Sequence, residues 1–215
     1  MIVRKQSETG DDPRIVYVVD DDDDVREAIG DLLLSVGLRA RLFASVKQLA
    51  DSIHANPTGC IVLDVRLPGR SGLDFHHDLI SAGLRLPVIF ISGHADVPMS
   101  VRAMKAGAFE FFTKPVREQD LLDAIQAALA EDRRRHAEAE SLRSLRDAFR
   151  CLTTREREVM RLVAAGKLNK QIASEIGVTE ATVKLHRGRV MGKMRVRTLA
   201  ELIRAADRLA DDPIR

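Results

Sequence analysis

Apolar residues follow two different periodicities along the first 130 residues of the chain. Short, continuous apolar runs, typical of buried strands, alternate with segments that repeat apolar residues every three or four positions, typical of amphipathic helices. The pattern predicts strands at 15–20, 38–43, 60–65, 87–92 and 109–113. Helices are predicted at 25–36, 45–53, 71–82 and 97–106 and from Pro115 onwards. This alternation predicts a parallel sheet covered on both faces, and five strands favour the flavodoxin-like order 2-1-3-4-5.

The strand pattern disappears after residue 116. Neither Gly nor Pro occurs between Val116 and Ala165, and good helix formers dominate that segment. This predicts one long helix over 117–149, roughly 50 Å in length. Its apolar stripe ends at Leu129 and its spacing thins over Asp132–Glu140, so this part is expected to be solvated rather than part of a core. Shorter helices are then predicted at 154–164, 170–176, 180–194 and 199–209.

These patterns predict two domains joined by a helix. The expected divisions are a mobile N-terminal tail at 1–14, an α/β domain at 15–128, a helical linker at 129–149 and a four-helix domain at 150–215. Charge divides the chain in the same way. Residues 1–130 carry 14 basic and 19 acidic side chains, whereas residues 151–215 carry 14 and 8. The basic second half makes a nucleic acid or another anion a candidate partner.

Composition narrows the possible functions and locations. The chain has no Trp and one Tyr, so binding of single-stranded nucleic acid on stacked aromatic residues is not expected. No apolar run reaches the roughly 18 residues that a membrane span needs. Cys60 and Cys151 are too few and too far apart for a disulfide framework or a zinc site. We therefore expect a cytoplasmic protein in a reducing compartment, with no membrane partner.

Acidic side chains follow two of the predicted strands. Asp20 and Asp21 end the first strand and Asp64 lies at the end of the third. The carboxyl ends of these two strands flank the crevice in which such sheets bind ligands. Converging carboxylates repel one another unless a cation joins them, and hard oxygen ligands suit Mg²⁺, with Mn²⁺ or Ca²⁺ as substitutes. The alternative, a solvated acidic turn at a helix start, suits Asp22–Asp24 but explains Asp64 poorly, because that residue ends an apolar strand.

Two further residues are expected at the same edge of the sheet. Ser92 ends the fourth predicted strand and Lys114 follows the fifth, on the side of Asp64 away from the metal. Each residue taken alone has an ordinary explanation, as a helix-capping Ser and a surface Lys. Together with Asp64 and a metal ion, they form the set of groups that accepting and holding a phosphoryl group requires.

Residues 15–128 resemble the receiver domain of response regulators. The matching segments are Val18–Asp21, Val62–Pro68, Ile91–His94 and Thr113–Pro115. The resemblance implies that a sensor histidine kinase phosphorylates Asp64. It also implies that Asp20, Asp21, Asp64 and the backbone carbonyl of Arg66 hold Mg²⁺, and that Ser92 and Lys114 bind the phosphoryl oxygens. Phe111 corresponds to the switch aromatic of the family, which rotates inward when Ser92 moves; it lacks the hydroxyl of the Tyr found in many receivers.

The basic half contains the pattern of a helix-turn-helix. Lys170–Thr179 comprises a short helix, a turn with Gly177 and a new N-cap at Thr179. The second helix, 180–194, would enter the major groove of double-stranded DNA. Its basic residues are Lys184, Arg187, Arg189, Lys193 and Arg195, and its predicted core face is Ala181, Val183, Val190 and Met194. The alternative is a structural helix with a solvated basic face.

Three segments of this half resemble the LuxR-type DNA-binding domain. They are Leu152–Val159, Asn169–Ala173 and Thr182–His186, and Gly93–Met99 in the first half adds a resemblance to the FixJ-type subgroup. The resemblance implies that helix 199–209 pairs two copies on promoter DNA, and it suggests RNA polymerase as a further partner. The residues expected to contact DNA are Lys170, Thr179, Thr182, Lys184, Leu185, Arg187 and Arg189. Gly188 departs from the family, because a side chain at that position usually faces bases.

The resemblance implies a transcription regulator rather than an enzyme. We expect the protein to become a homodimer when Asp64 is phosphorylated, because the long predicted linker would hold the two halves apart. A phosphohydrolase with Asp20 as nucleophile is one alternative, because Asp20-x-Asp22 fits its strand-end motif. However, residues 15–128 leave no room for the cap domain of such an enzyme, and this alternative does not explain the basic half of the chain. A second alternative treats the first half as a dimerisation module without phosphorylation. The sequence also leaves open whether activation proceeds by dimerisation or by unmasking of the DNA-binding domain.

Overall fold

A computed structural model describes residues 14–53, 57–93 and 97–210. The chain divides into two compact units, of which the first ends at Arg134 and the second begins at Arg135. Residues 1–13 of the predicted tail, and residues 94–96 of the segment that resembles the FixJ subgroup, lie outside the described residues. No helix in the described ranges is both long and apolar enough to cross a membrane.

The first unit is built on a five-stranded sheet in the order β2-β1-β3-β4-β5, in which every neighbouring pair is parallel. The strands are β1 Ile15–Val19, β2 Ala40–Phe43, β3 Gly59–Asp64, β4 Val88–Ser92 and β5 Glu110–Thr113. The helices are α1 Asp23–Ser35, α2 Val46–Ser52, α3 Gly72–Ser81 and α4 Val97–Lys105, followed by the start of α5 Glu118–Arg150. The predicted flavodoxin-like fold and strand order are confirmed.

Two apolar cores lie on opposite faces of this sheet. Successive side chains of a strand point to opposite faces, so Val16 and Val18 of β1 join one core, whereas Tyr17 and Val19 join the other. The first core includes α1 and α5, and the second includes α2, α3 and α4. Both faces are therefore covered by helices, which explains why the central strands are continuously apolar.

The long helix matches its predicted span of 117–149 to within one residue at each end, since α5 runs from Glu118 to Arg150. It does not open at Pro115, and the carbonyl of Arg117 accepts its first backbone hydrogen bond, from Leu121. The expectation that Asp132–Glu140 is solvated is wrong for Asp132, which is fully buried. Its carboxylate is buried because donors from the start of the sheet surround it, a long-range arrangement that the helical spacing does not reveal.

The second unit contains the end of α5 and four further helices. These are α6 Thr154–Ala164, α7 Asn169–Ile176, α8 Glu180–Lys193 and α9 Leu199–Ala210. Gly177 adopts a left-handed conformation (φ +67°) that ends α7, and Thr179 caps α8 as predicted. Val183, Val190 and Met194 lie in the core, but Ala181 is exposed. Two residues turn an α-helix by about 200°, so Ala181 faces away from Val183.

Candidate phosphoacceptor site and nucleic-acid interface

Asp64 is the last residue of β3 and is only 6% exposed. Its Oδ1 accepts a hydrogen bond from the amide of Arg66 (2.8 Å), and its Oδ2 accepts one from Nζ of Lys114 (2.6 Å). Gly72 begins α3 directly beside it, where a Cβ atom would lie 2.3 Å from the backbone oxygen of Asp64. Glycine therefore lets α3 pack against the end of β3, and the carboxylate is fixed at the edge of the sheet.

Asp20 and Asp21 follow β1 at the same edge. Asp20 is fully buried, and its Oδ1 accepts a hydrogen bond from the amide of Asp22 (3.0 Å). Burial raises the pKa of Asp20, while the bonds from Lys114 and Asp22 oppose that rise. Asp21 is exposed. Carboxylate oxygens of Asp20, Asp21 and Asp64 lie within 4.8 Å of one another, so the donor set fits a hard cation such as Mg²⁺.

Lys114 follows β5 and contacts two of the three aspartates. Its ammonium bridges Oδ2 of Asp20 and Oδ2 of Asp64, at 2.6 Å from each. Burial by itself lowers the pKa of Lys114, but the hydrogen bonds and charges of the two carboxylates outweigh burial and raise it. The long side chain reaches from the end of β5 past β4, where a cation compensates two buried negative charges.

Ser92 and Phe111 complete this edge. Ser92 ends β4 and is fully buried, and its hydroxyl has no hydrogen-bond partner among the residues that the structure describes. Its backbone carbonyl accepts a hydrogen bond from the amide of Lys114 (2.9 Å). Phe111 is half-buried in β5, opposite Phe90, with 6.3 Å between the ring centroids. A buried hydroxyl without a partner is unusual in proteins and is suited to a ligand that supplies the partner.

The acidic run after Asp21 has the ordinary role of opening a helix. Asp22 is the N-cap of α1, and its side chain accepts hydrogen bonds from the amides of Asp24 and Val25. Asp23 and Asp24 lie in the first turn, where negative charge is favourable. Only Asp20 and Asp21 of the five consecutive aspartates therefore belong to the candidate metal site.

The predicted DNA-contacting residues lie on α7, at the N-cap of α8 and along α8. Lys170, Lys184 and Arg189 are exposed, and so is Leu185, at 54%. Oγ1 of Thr179 accepts a hydrogen bond from the amide of Thr182 (3.2 Å), which fixes the start of α8. A Cβ atom at Gly188 would contact nothing within 4 Å among the described residues, so α8 has space for a side chain at this position but carries none.

Arg187 differs from the other members of this set. It is half-buried, and its guanidinium donates a hydrogen bond to Oδ1 of Asn169 on α7 (2.6 Å). One of its functions is therefore to hold α7 against α8. Arg189, on the other side of Gly188 in the sequence, is exposed.

An ion pair that was not predicted joins the buried Glu156 to the partly exposed Lys193 of α8. The sequence pattern places Lys193 on the basic face, yet its Nζ donates to Oε2 of Glu156 (2.6 Å) and to the carbonyl of Cys151 (3.2 Å). Glu156 is 2% exposed and also closes a capping box with Thr153 at the start of α6. The Thr-x-x-Glu spacing could have indicated the capping box. Nothing local indicates Lys193 as the partner, 37 residues away.

Separate family models match the two parts of the chain. Residues 16–126 match the response regulator receiver domain, and residues 150–206 match the luxR family of bacterial regulatory proteins. The chain is a transcriptional response regulator of the FixJ/LuxR type. A response regulator with these two domains has a sensor kinase and DNA as its partners.

This response regulator is similar to characterised regulators along most of its length. It is 49% identical to nodulation protein W of Bradyrhizobium diazoefficiens over 195 residues. This match covers 91% of this chain and 86% of that protein. It is 38% identical over 191 residues to transcriptional regulatory protein FixJ of Azorhizobium caulinodans, covering 89% and 90%. The solved structure of response regulator StyR matches with a TM-score of 0.82 and 43% identity, covering 90% of this chain and 98% of that one.

Proposed function

We propose that this response regulator is switched on by phosphorylation of Asp64 and then binds promoter DNA as a dimer. The observation that carries the proposal is the environment of Asp64. Its carboxylate is held by Arg66 and Lys114 and lies close to two further aspartates. Ser92, at the end of the neighbouring strand, has a buried hydroxyl with no hydrogen-bond partner among the described residues. This arrangement combines a nucleophile with groups that stabilise phosphoryl charge.

The reaction transfers a phosphoryl group from a phosphohistidine of the sensor kinase to Asp64. A carboxylate oxygen of Asp64 forms the new bond to phosphorus, and the bond from phosphorus to the histidine nitrogen breaks. The electron pair of that bond stays on the imidazole. Asp20, Asp21, Asp64 and the backbone carbonyl of Arg66 would hold Mg²⁺, which supplies charge neutralisation for the transferring oxygens.

Lys114 and Ser92 would bind the new phosphoryl group. An ammonium has three donors, so Lys114 can turn from Asp20 and Asp64 towards a phosphoryl oxygen. Ser92 would donate its hydroxyl to another phosphoryl oxygen and thereby satisfy a group that has no partner among the described residues. Movement of Ser92 would leave space for Phe111 to turn inward. That change would reshape the face formed by α4, β5 and the start of α5.

The reshaped face would then pair two copies of the regulator. Helix α8 would enter the major groove, with Lys184, Leu185 and Arg189 facing the bases. The phosphates would be bound by Lys170, Thr179 and Thr182. Pairing raises the local concentration of the second DNA-binding unit, so affinity rises without any new base contact. The regulator would also contact RNA polymerase and would be cytoplasmic, because promoter DNA and the polymerase are found in the cytoplasm.

Intact-mass measurement after incubation with acetyl phosphate and Mg²⁺ tests the phosphoryl transfer. We expect a gain of one phosphoryl group in the wild-type protein and none in Asp64→Asn. Asp74→Asn is the matched control, because Asp74 is an exposed carboxylate in the first turn of α3. Full labelling of Asp64→Asn contradicts the proposal. Phosphate located on Asp20 would instead support the phosphohydrolase-type arrangement.

Sedimentation of the full-length chain with and without beryllofluoride, a phosphoryl mimic, tests the dimerisation step. The same samples are titrated with a DNA duplex selected from a random-sequence library. We expect the mimic to produce dimers and tighter DNA binding in the wild-type protein, and neither change in Asp64→Asn. Tighter binding by a protein that stays monomeric contradicts dimerisation and favours unmasking.

A further inference from the structure

Asp132 joins helix α5 to the beginning of the sheet. Its side chain is fully buried, and its Oδ2 accepts hydrogen bonds from Nε of Arg14 and from the amide of Gly59, each at 3.0 Å. Arg14 directly precedes β1, and Gly59 begins β3. One carboxylate therefore connects α5 to the residue before β1 and to the first residue of the neighbouring β3. This connection, the Arg14–Asp132–Gly59 clamp, lies at the opposite end of β3 from Asp64.

The surroundings of the clamp are tightly packed. Gly59 has φ +128°, and a Cβ atom there would lie 1.8 Å from the carbonyl oxygen of Ile15, so only glycine permits this approach of β1 to β3. Burial, with the negative charge of Asp132, raises the pKa of the neighbouring Cys60 thiol to about 12. An ionised carboxylate in such a place is stable only when charged or polar donors compensate it, as Arg14 and Gly59 do.

One member of the clamp, Asp132, lies between the two segments of the chain that match family models. The receiver match ends at residue 126 and the luxR-family match begins at residue 150. Asp132 falls between them, and Arg14 precedes the receiver match. The two charged members are therefore outside the part that this chain shares with receivers in general. Helix α5 continues through the junction from Glu118 to Arg150 without a break.

We propose that Asp132 is a positioning residue that couples phosphorylation of Asp64 to DNA binding. The inference rests on the function proposed above and names the contact through which phosphorylation of Asp64 would affect the second unit. A helix transmits a displacement only where it is firmly attached to the element that moves. With the clamp intact, α5 follows rearrangement of the sheet at least as far as residue 132. Without it, the helix beyond Leu129 detaches from the sheet, and the second unit no longer responds to Asp64.

The test compares four full-length variants with the wild type. Asp132→Asn and Arg14→Gln each remove one charge from the clamp, whereas Arg14→Lys keeps the positive charge. Asp147→Asn is the matched control, because Asp147 lies on the same helix with a 64% exposed side chain. For each protein we measure acetyl phosphate labelling, the affinity for the selected DNA duplex with and without beryllofluoride, and amide hydrogen exchange along α5.

In Asp132→Asn and Arg14→Gln we expect full labelling and unchanged basal DNA affinity. The affinity for DNA should be nearly the same with and without beryllofluoride in these two variants. Exchange should accelerate at 126–136 but not at 118–125. Arg14→Lys should restore most of the response, and Asp147→Asn should match the wild type. If Asp132→Asn does not fold, Arg14→Gln decides, because Arg14 lies at the edge of the clamp.

Two results overturn the inference. One is a wild-type response to beryllofluoride in folded clamp variants, and the other is unchanged exchange at 126–136. Failure of the proposed function has a different signature, since the wild-type protein itself would then show no labelling or no gain in DNA affinity. In that case the inference falls with the proposed function, whatever the clamp variants show.

Discussion

The two units bury ionisable side chains in different ways. At the edge of the sheet, Asp20 and Asp64 share the single ammonium of Lys114, and the hydroxyl of Ser92 beside them has no partner among the described residues. In the second unit, Glu156 accepts hydrogen bonds from Lys193 and from the backbone of Thr153, and it closes a complete capping box. At the edge of the sheet, the hydroxyl of Ser92 is available to a ligand. In the second unit, the carboxylate of Glu156 already has its hydrogen-bond partners.

This difference indicates that the carboxylates at the edge of the sheet suit a reaction, whereas the Glu156–Lys193 pair stabilises the fold. Burial raises the pKa of Asp20, so its charge is held at a cost that a metal ion or another cation can relieve. The hydrogen bonds from Lys193 and Thr153 lower the pKa of Glu156 to about 2, so its charge is already well compensated. Partners that can be exchanged suit a phosphoryl-accepting site, and partners that are fixed suit the orientation of a recognition helix.

The largest expected effect is on the supporting pair. Glu156→Ala removes the partner of the Lys193 ammonium and of the Thr153 amide, and should lower the free energy of unfolding of the second unit by about 2 kcal/mol, because water can solvate the partly exposed Lys193. Thr153→Ala removes only the cap and should cost about 1 kcal/mol. Hydrogen exchange of α6 and α8 measures both. Glu158→Ala is the control, because Glu158 pairs with Arg155 at the surface; an equal loss in Glu158→Ala would show that Glu156 has no special role.

Acid should weaken the same pair. The folded state holds the pKa of Glu156 near 2, below its ordinary value of 4.5, so its stabilisation is complete above about pH 4.5 and is lost as the pH falls towards 2. The free energy of unfolding of the second unit should fall across that window. Calorimetry of the full-length chain at several pH values measures the slope. Glu156→Gln should flatten it, and an identical slope in this variant would assign the acid sensitivity to other groups.

The chemical site should respond through metal affinity. Asp20→Asn and Asp21→Asn each remove a charged oxygen ligand and should weaken Mg²⁺ binding by about tenfold, equivalent to about 1.4 kcal/mol. Asp23→Asn should leave it unchanged, because Asp23 lies in the first turn of α1 and is not part of the Asp20, Asp21 and Asp64 cluster. Titration calorimetry compares the three. Equal affinities in all of them would show that the acidic pair only opens the helix.

The smallest expected effects separate two arginines of the recognition helix. Arg189→Ala removes an exposed cation from the open face of α8 and should weaken DNA binding by about 1 kcal/mol, with no change in stability. Arg187→Ala breaks the bond to Asn169 and should lower the free energy of unfolding of the second unit by about 1 kcal/mol. DNA titrations and unfolding curves for both variants test the distinction. The opposite assignment of effects would place Arg187 on the DNA and Arg189 between the helices.

Much of the site could be predicted because its residues follow strand ends. The apolar runs before Asp20, Asp64 and Ser92 set the strands, and parallel strands bring their carboxyl ends to one edge. The contact of Lys114 with both Asp20 and Asp64 could not be predicted. A Lys side chain has a long, flexible stem, so its sequence position does not determine which carboxylate it contacts. Its bond to both Asp20 and Asp64 follows from the spacing of β1, β3 and β5 in the folded sheet.

The sequence by itself determined the elements, their order and the local caps, because periodicity and capping depend on residues within a few positions of one another. Tertiary structure decided which charges are buried and with what partner. Lys193 looked like part of the basic face, and Asp132 looked like part of a solvated helix. Their partners lie 37 residues away, at Glu156, and 118 and 73 residues away, at Arg14 and Gly59. An ion pair depends on distance in space, and only the packing of the helices and the sheet sets that distance.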